Sequence, residues 1–149
     1  DLPDMALFKF TKAMIEGKSI DVYNYGKMKR DFTYIDDIVE AIIRLQDVIP
    51  QADANWTVET GSPATSSAPY RVYNIGNSAP VELMDYITAL EEALGKEADK
   101  NMMPVQPGDV LETSADTTAL YDVIGFKPNT SVKEGVKNFV DWYRSFYKV

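Results

Sequence analysis

The sequence has no cysteine and no histidine among its 149 residues. Without cysteine, the chain has no disulfide, no thiolate metal ligand and no cysteine nucleophile. Without histidine, it has no Ser-His-Asp triad and no histidine-bound zinc. No apolar run approaches about 18 residues, the length that a membrane-spanning helix needs, and no signal peptide is recognisable. We therefore expect a cytoplasmic protein with no membrane partner and no metal site.

Basic residues are fewer than acidic ones, 15 against 23, which gives a formal net charge of −8. This charge argues against nucleic-acid binding. The basic residues are dense at one place, which contains Lys27, Lys29 and Arg30. An acidic protein with one tight basic cluster is suited to a small anionic ligand rather than to a polyanion. The hydrophobic content of 45% is that of a globular domain.

The hydrophobic pattern predicts an α/β fold, in which helices predominate and are joined by a few short strands. A first helix is expected from Pro3 to about Gly17, because proline suits a first helical turn and glycine suits a helix end. Alternating residues then predict a strand over 19–25, a turn at Gly26-Lys27 and a returning strand over 28–34. Together these would form a hairpin.

The second helix is expected to open at Asp36-Asp37, because Asp37 and Glu40 have capping-box spacing. Its buried face is predicted to be a stripe of four residues, Ile38, Ile42, Leu45 and Ile49. The later elements are expected to be a loop at 51–69, a strand at 70–76, a helix capped by Ser78 and ending at Leu94, a strand at 100–105, a turn at 106–109, a short helix capped by Asp116, and a last helix capped by Ser131. The aromatic residues near the end of that helix are expected in the core: Trp142, Tyr143, Phe146 and Tyr147.

Motifs for catalysis and for cofactor binding are nearly absent from the sequence. It has neither the GxGxxG dinucleotide motif nor the GxxxxGK[ST] phosphate-binding loop. The pattern Tyr-x-x-x-Lys occurs from Tyr23 to Lys27. Because that pair lies across a predicted strand and tight turn, the two side chains would not share a helical face. We do not expect it to be catalytic.

The strongest positive signal is the stretch 23–37, which combines aromatic and cationic side chains. Tyr23 and Tyr25 could stack on a flat base, and Arg30 could pair with phosphate through two parallel hydrogen bonds. This combination is what a nucleoside diphosphate needs. The residues alone also fit an exposed hairpin with solvated lysines, which is the simpler interpretation. The role of Asp109 also has two interpretations, since it could hold a ribose diol or stabilise an ordinary turn.

Four runs of the sequence resemble the C-terminal half of nucleotide-sugar epimerases, which are extended short-chain dehydrogenases/reductases with a Rossmann-type fold. The runs are PDMALFKF from Pro3, RDFTYIDDIV from Arg30, VYNIGN from Val72 and QPGDV from Gln106. The MALFKFTKAM opening, the 51–69 insertion and the QPGDV run are similar, more narrowly, to the UDP-glucuronate 4-epimerases.

The resemblance implies a full-length NAD-dependent isomerase that interconverts UDP-glucuronate and UDP-galacturonate through a 4-keto intermediate. The glycine-rich NAD loop, the catalytic Tyr-x-x-x-Lys pair and a Ser or Thr of that family would precede this sequence. Residues 1–149 would then be the UDP-sugar-binding C-terminal portion, with no catalytic residue and with NAD held by an N-terminal domain absent from this chain. The full-length family allows a homodimer.

Six positions are expected in the substrate site on the strength of the resemblance. Arg30 would hold the diphosphate, Tyr23 would lie near uracil, Asp109 would hold the ribose, and Gln106 would line the pocket. The segment from Met5 to Lys9, with Phe8 and Lys9, would supply the edge that reads uracil. One departure is that Asp1-Leu2 stand where the family usually has Gly-Arg.

Because the sequence opens directly on a helix, we interpret it as a piece of a longer protein rather than as a trimmed natural terminus. Two alternatives to the epimerase stay open. The chain could be a stand-alone nucleotide-sugar-binding module without catalysis, or it could be an interaction domain with a vestigial pocket.

Overall fold

The computed structural model describes residues 5–149. The elements follow one another in the order α1 (Ala6–Ile15), β1 (Ile20–Val22), a 3-10 turn (Tyr23–Gly26), β2 (Lys29–Arg30), α2 (Ile35–Leu45), β3 (Val81–Glu82), α3 (Leu83–Leu94), β4 (Lys100–Met102), α4 (Thr118–Ile124) and α5 (Val132–Tyr147). This α/β architecture of helices and a few short strands confirms the predicted fold class. None of the helices within residues 5–149 has the length and apolar character needed to cross a membrane.

The chain divides into two compact units. Unit 1 consists of residues 5–32, 79–113 and 130–149, and unit 2 of residues 33–78 and 114–129. Unit 1 contains α1, α3, α5 and all four strands. In it, β1 pairs in parallel with β4, Ile20 opposite Lys100, and β2 pairs antiparallel with β3, Arg30 opposite Val81.

The core of unit 1 lies where the apolar faces of α1, α3 and α5 meet β1. Its buried residues are Met14, Ile20, Val22, Tyr86, Ile87, Ala89, Leu90, Leu94, Val136 and Val140. The predicted helix that ends at Leu94 and the predicted last helix after Ser131 are confirmed as α3 and α5. Ser131 Oγ accepts a hydrogen bond from the Glu134 N–H at 3.2 Å, as its predicted capping role requires. Gly95 ends α3 in the left-handed conformation that glycine adopts readily.

The predicted hairpin over 19–34 is wrong. Residues 20–22 form β1 and residues 29–30 form β2, but the two strands pair with β4 and β3 and not with each other. The reason is that each strand finds a partner far along the chain: Ile20 lies opposite Lys100 and Lys29 opposite Glu82. Between the two strands, Asn24 and Tyr25 both have left-handed backbone angles, with φ of 50° and 52°.

In unit 2, α2 is present, but it ends at Leu45, before the predicted Ile49, and it has neither the predicted face nor the predicted cap. Asp37 lies inside the first turn, after the flanking residue Tyr34, so the Asp37–Glu40 capping box is wrong. The inward side of α2 is narrow and holds Asp37 and Ala41. Ile42 and Ile49 are 48% and 77% exposed, so the predicted buried stripe is also wrong.

Two further local predictions are wrong, one is confirmed in part, and two cannot be compared. Residues 70–76 form no strand beyond a single bridge between Arg71 and Thr65, because no strand of the described chain pairs with them. Ser78 does not cap α3, because its hydroxyl instead donates to the Ala115 carbonyl at 2.7 Å. The strand predicted at 100–105 is present as β4, but it ends at Met102. The start of the first helix at Pro3, and the Asp1-Leu2 departure, lie outside the described residues.

Candidate functional site

Arg30 is the last residue of β2, and its guanidinium is held by two hydrogen bonds in unit 1. Nη1 donates to the Lys29 carbonyl at 2.9 Å, and Nη2 donates to Asp109 Oδ1 at 2.9 Å. The Arg30 and Asp109 side chains are 26% and 32% exposed. The structure therefore brings together the two residues predicted for the diphosphate and the ribose, and it leaves both within reach of a ligand.

Asp109 is carried by a loop that we call the arch, residues 103–111. At one end, the Met103 N–H donates to the Val22 carbonyl at 2.9 Å. At the other end, the Lys29 N–H donates to the Leu111 carbonyl at 2.8 Å. Both ends of the arch are thus tied to the segment that runs from β1 to β2, which is the segment that carries Arg30.

The top of the arch is the predicted turn at 106–109. The Asp109 N–H donates to the Gln106 carbonyl at 3.1 Å, and Gly108 has a φ of +84°. That φ favours glycine, which explains the Pro-Gly-Asp sequence at this place. Gln106 is exposed on the same turn as Asp109. Two of the predicted site residues therefore share one turn.

Tyr23 and the basic cluster lie on the turn between β1 and β2. Tyr23 is half-buried at the start of the 3-10 turn, and Tyr25 and Lys27 are exposed. The Lys29 ammonium pairs with Glu82 of β3 at 3.3 Å. As expected, Tyr23 and Lys27 do not share an α-helix, so this literal Tyr-x-x-x-Lys pattern lacks the geometry that a catalytic pair of this spacing needs.

Phe8 and Lys9 lie on α1. The Phe8 ring makes edge-on contacts with four rings of α5, those of Phe139, Trp142, Tyr143 and Tyr147. Its side chain therefore serves the packing of α1 on α5, while Lys9 is exposed. The role of Met5 to Lys9 in reading uracil stays a prediction. Tyr143 is buried, but Trp142, Phe146 and Tyr147 are about half exposed, so placing that whole aromatic group in the core was wrong.

Two groups near the site were not singled out by sequence analysis. Thr113 Oγ1 accepts a hydrogen bond from the Asp31 N–H at 3.2 Å, and the Thr113 N–H donates to the Lys29 carbonyl at 3.3 Å. Both bonds fix the end of β2 beside Arg30. Asp31 and Thr113 are 82 residues apart, so no local pattern could have indicated them.

The chemistry that this arrangement supports is binding of an anion and of a diol. A guanidinium offers several N–H donors in one plane, which match phosphate oxygens, and a carboxylate accepts hydrogen bonds from hydroxyl groups. Phe32, two residues after Arg30, stacks on Tyr86 at 4.3 Å between ring centroids. Burial raises the pKa of the Tyr86 phenol, which is neutral at pH 7 even at its ordinary value.

The architecture is that of extended short-chain dehydrogenases/reductases with a Rossmann-type fold. A solved structure of Bacillus cereus UDP-glucuronic acid 4-epimerase, in complex with UDP-glucuronic acid and NAD, matches 97% of this chain at a TM-score of 0.77 and 27% identity, over 41% of its own length. The sequence model of the family described as GDP-mannose 4,6 dehydratase matches residues 5–139. The chain belongs to this family.

Curated relatives extend the likeness over nearly the whole chain. A 37.6 kDa protein from the cld 5′ region of Escherichia coli O111:H- is 84% identical over 99% of the chain and 44% of its own length. A probable UDP-glucuronate 4-epimerase of Rhizobium meliloti (strain 1021) is 48% identical over 98% of the chain and 43% of its own length. These matches confirm the predicted resemblance. The chain spans less than half the length of these curated relatives.

Proposed function

We propose that the whole protein is an NAD-dependent nucleotide-sugar 4-epimerase that interconverts UDP-glucuronate and UDP-galacturonate through a 4-keto intermediate. In this proposal residues 1–149 are its UDP-sugar-binding portion. The observation that carries the proposal is the Arg30–Asp109 pair, an arginine and a carboxylate joined at 2.9 Å on a partly exposed surface of unit 1. Its support from comparison is the likeness to proteins named as UDP-glucuronate 4-epimerases.

Arg30 would hold the diphosphate. One Nη of its guanidinium is engaged by Asp109, which fixes the plane of the group without saturating its donors. The remaining N–H groups can then pair with phosphate oxygens at a small entropic cost, because the side chain is already ordered. The diphosphate would therefore meet a guanidinium that is oriented in advance.

Asp109 would hold the ribose. Its Oδ1 accepts from Arg30, and each carboxylate oxygen has two acceptor sites, so capacity remains for the two hydroxyls of a ribose diol. Gln106, on the same turn, would add an amide to the pocket wall. Tyr23 would face the uracil with its flat ring, and the backbone of α1 at Phe8 and Lys9 would bound the uracil side.

The residues of this chain do not fit NAD. A dinucleotide loop needs clustered glycines beside a helix start, whereas the two nearest glycines of this sequence, Gly17 and Gly26, are nine residues apart. We assign NAD, and the groups that transfer protons, to a part of the whole protein outside these residues. The contribution of this chain would be binding and orientation of the substrate.

The test is a calorimetric titration of the 149-residue chain with UDP, uridine and ADP. We expect UDP to bind in the micromolar to low-millimolar range, uridine to bind more weakly because it lacks the diphosphate, and ADP to bind more weakly because its base differs. Equal affinity for UDP and uridine would contradict the role of Arg30. Absence of UDP binding both to this chain and to the whole protein would contradict the proposed function and favour an interaction module.

A further inference from the structure

The turn that joins β1 to β2 has an unusual backbone. Asn24 (φ 50°, ψ 33°) and Tyr25 (φ 52°, ψ 31°) are left-handed, and Gly26 follows with a φ of 78°. Left-handed geometry costs about 1–2 kcal/mol for most L-residues, and asparagine tolerates it better than tyrosine does. The surroundings must therefore hold Tyr25 in this conformation.

Asn24 closes the turn with its own side chain. Its Nδ2 donates to the Lys27 carbonyl at 2.7 Å, while the Lys27 N–H donates back to the Asn24 carbonyl at 2.9 Å. The two bonds form a ring across residues 24–27. Asparagine is thus both the residue type that accepts the left-handed backbone and the side chain that locks it.

The closed turn points one backbone donor at the arch. The Tyr25 N–H donates to the Met103 carbonyl at 3.0 Å, beside the bond from the Met103 N–H to the Val22 carbonyl. These two bonds continue the parallel β1–β4 pairing beyond Met102 and form the first attachment of the arch. If residues 24 and 25 left the left-handed region, the Tyr25 N–H would turn away from Met103.

We infer that Asn24 is a positioning residue of the nucleotide site. On one side its amide fixes Lys27, three residues before Arg30. On the other side, the turn that Asn24 closes holds Met103 through the Tyr25 N–H. Met103 is the first residue of the arch, which carries Gln106 and Asp109. Asn24 thereby keeps Arg30 and Asp109 in position relative to each other without contacting the ligand. The inference rests on the proposed function only for the identity of the ligand, a nucleoside diphosphate.

The test compares two changes at Asn24 with a matched change elsewhere. Asn24→Ala removes the amide and the left-handed preference, whereas Asn24→Gly removes only the amide. Asn74→Ala is the control, because Asn74 Nδ2 likewise donates to a backbone carbonyl, that of Asp116 at 3.2 Å, within unit 2. The measurements on each 149-residue variant are UDP affinity by calorimetry, the thermal midpoint, and hydrogen exchange of the Tyr25 and Met103 amides by NMR.

We expect Asn24→Ala to weaken UDP binding about tenfold and Asn24→Gly about threefold, in the order of their left-handed tolerance. Exchange of the Tyr25 and Met103 amides should accelerate in the same order. Asn74→Ala should leave UDP affinity and the exchange of the Tyr25 and Met103 amides unchanged while lowering the thermal midpoint, because it too removes a side-chain bond to a backbone carbonyl. That contrast separates a positioning role from a general loss of stability.

Two outcomes would overturn the inference. One is that the unaltered chain and the Asn24→Ala variant bind UDP with equal affinity. The other is unchanged exchange of the Tyr25 and Met103 amides in that variant. If the unaltered chain and the whole protein bind no UDP, the proposed function fails, and the exchange measurement alone then decides whether Asn24 holds the arch.

Discussion

Arg30 Nη2 lies 2.9 Å from Asp109 Oδ1, although 79 residues separate the two in the sequence. Their side chains are partly buried, so the pair is better fixed than an exposed surface ion pair, which contributes little to stability. The pair joins the end of β2 to the top of the arch. Because both partners keep free hydrogen-bonding capacity, the relationship is suited to orienting groups for a ligand.

Replacement of Arg30 should weaken UDP binding. For Arg30→Ala we expect a loss of about 1.5–3 kcal/mol, the usual value of charge-assisted hydrogen bonds to phosphate. Arg30→Lys should recover only part of this loss, since an ammonium cannot pair with phosphate through a planar fork. The measurement is calorimetric titration with UDP. Arg44→Ala is the control, because Arg44 pairs with Glu40 on α2, and it should bind UDP normally.

Replacement of Asp109 should separate the two parts of the ligand. In Asp109→Ala the ribose loses its acceptor, so UDP should bind about tenfold more weakly. Pyrophosphate should lose less affinity than UDP, because it has no ribose to contact Asp109 and loses only the orientation that Asp109 gives to the Arg30 guanidinium. Parallel titrations with UDP and pyrophosphate measure both effects. An equal loss for the two ligands would mean that Asp109 acts only by orienting Arg30.

Elements with local signals could be predicted from the sequence. The Ser131 cap and the apolar spacing of Val136 and Val140 define α5 without reference to the rest of the chain. The hairpin prediction failed because strand pairing depends on distant partners. The chain from β1 to β2 passes through the left-handed residues Asn24 and Tyr25, and alternation of side chains cannot show that. Asn-x-Gly at 24–26 was the one available sign, since both residue types tolerate positive φ.

The candidate site was predictable only in part for the same reason. Arg30 and Asp109 were each singled out by residue type and by resemblance, but neither property says that they meet. Their contact depends on the two attachments of the arch, at Val22–Met103 and at Lys29–Leu111, which are backbone hydrogen bonds. Backbone bonds of this kind carry no side-chain signature.

The 149-residue chain should be unable to catalyse epimerisation. With NAD and UDP-glucuronate added, we expect no UDP-galacturonate above background, because the chain has no dinucleotide loop and no Tyr-x-x-x-Lys pair on a helix. Chromatographic separation of the two nucleotide sugars measures this. The whole protein assayed beside it is the positive control. Turnover by the chain alone would show that its catalytic groups have been overlooked.

Substitution of Gly26 should destabilise unit 1 more than substitution of Gly17. Both glycines have positive φ, +78° and +70°, so alanine at either position costs about 1–2 kcal/mol. A Cβ at Gly26 would also lie 2.6 Å from Met84 Sδ and 2.7 Å from its Cγ, whereas a Cβ at Gly17 meets nothing within 4 Å. Urea unfolding of Gly26→Ala and Gly17→Ala measures the difference. Equal losses would mean that Met84 moves aside freely.

Glu91 should make the stability of the chain depend on pH at acidic values. Burial raises the pKa of Glu91. Hydrogen bonds from the Lys100 ammonium and the Ala98 N–H, together with the Lys100 charge, lower it by more, so the pKa lies below its ordinary value of 4.5. Because the folded-state pKa is lowered, the stabilisation is complete at pH values above the unfolded-state pKa. It is lost as the pH falls through the folded-state pKa.

Glu91→Gln keeps an acceptor for Ala98 but loses the charge, so it should lower the free energy of unfolding by about 1–2 kcal/mol at neutral pH. The difference from the unaltered chain should shrink as the pH falls through the lowered folded-state pKa of Glu91, where its carboxyl becomes neutral. Glu92→Gln is the control, since Glu92 pairs with Lys133 on an exposed surface. Urea unfolding across this pH range measures all three proteins. Only a contribution that depends on the Glu91 charge disappears when Glu91 is protonated. If the free energies of unfolding of Glu91→Gln and the unaltered chain differ by the same amount at every pH, the Glu91 charge does not stabilise the contact between α3 and β4.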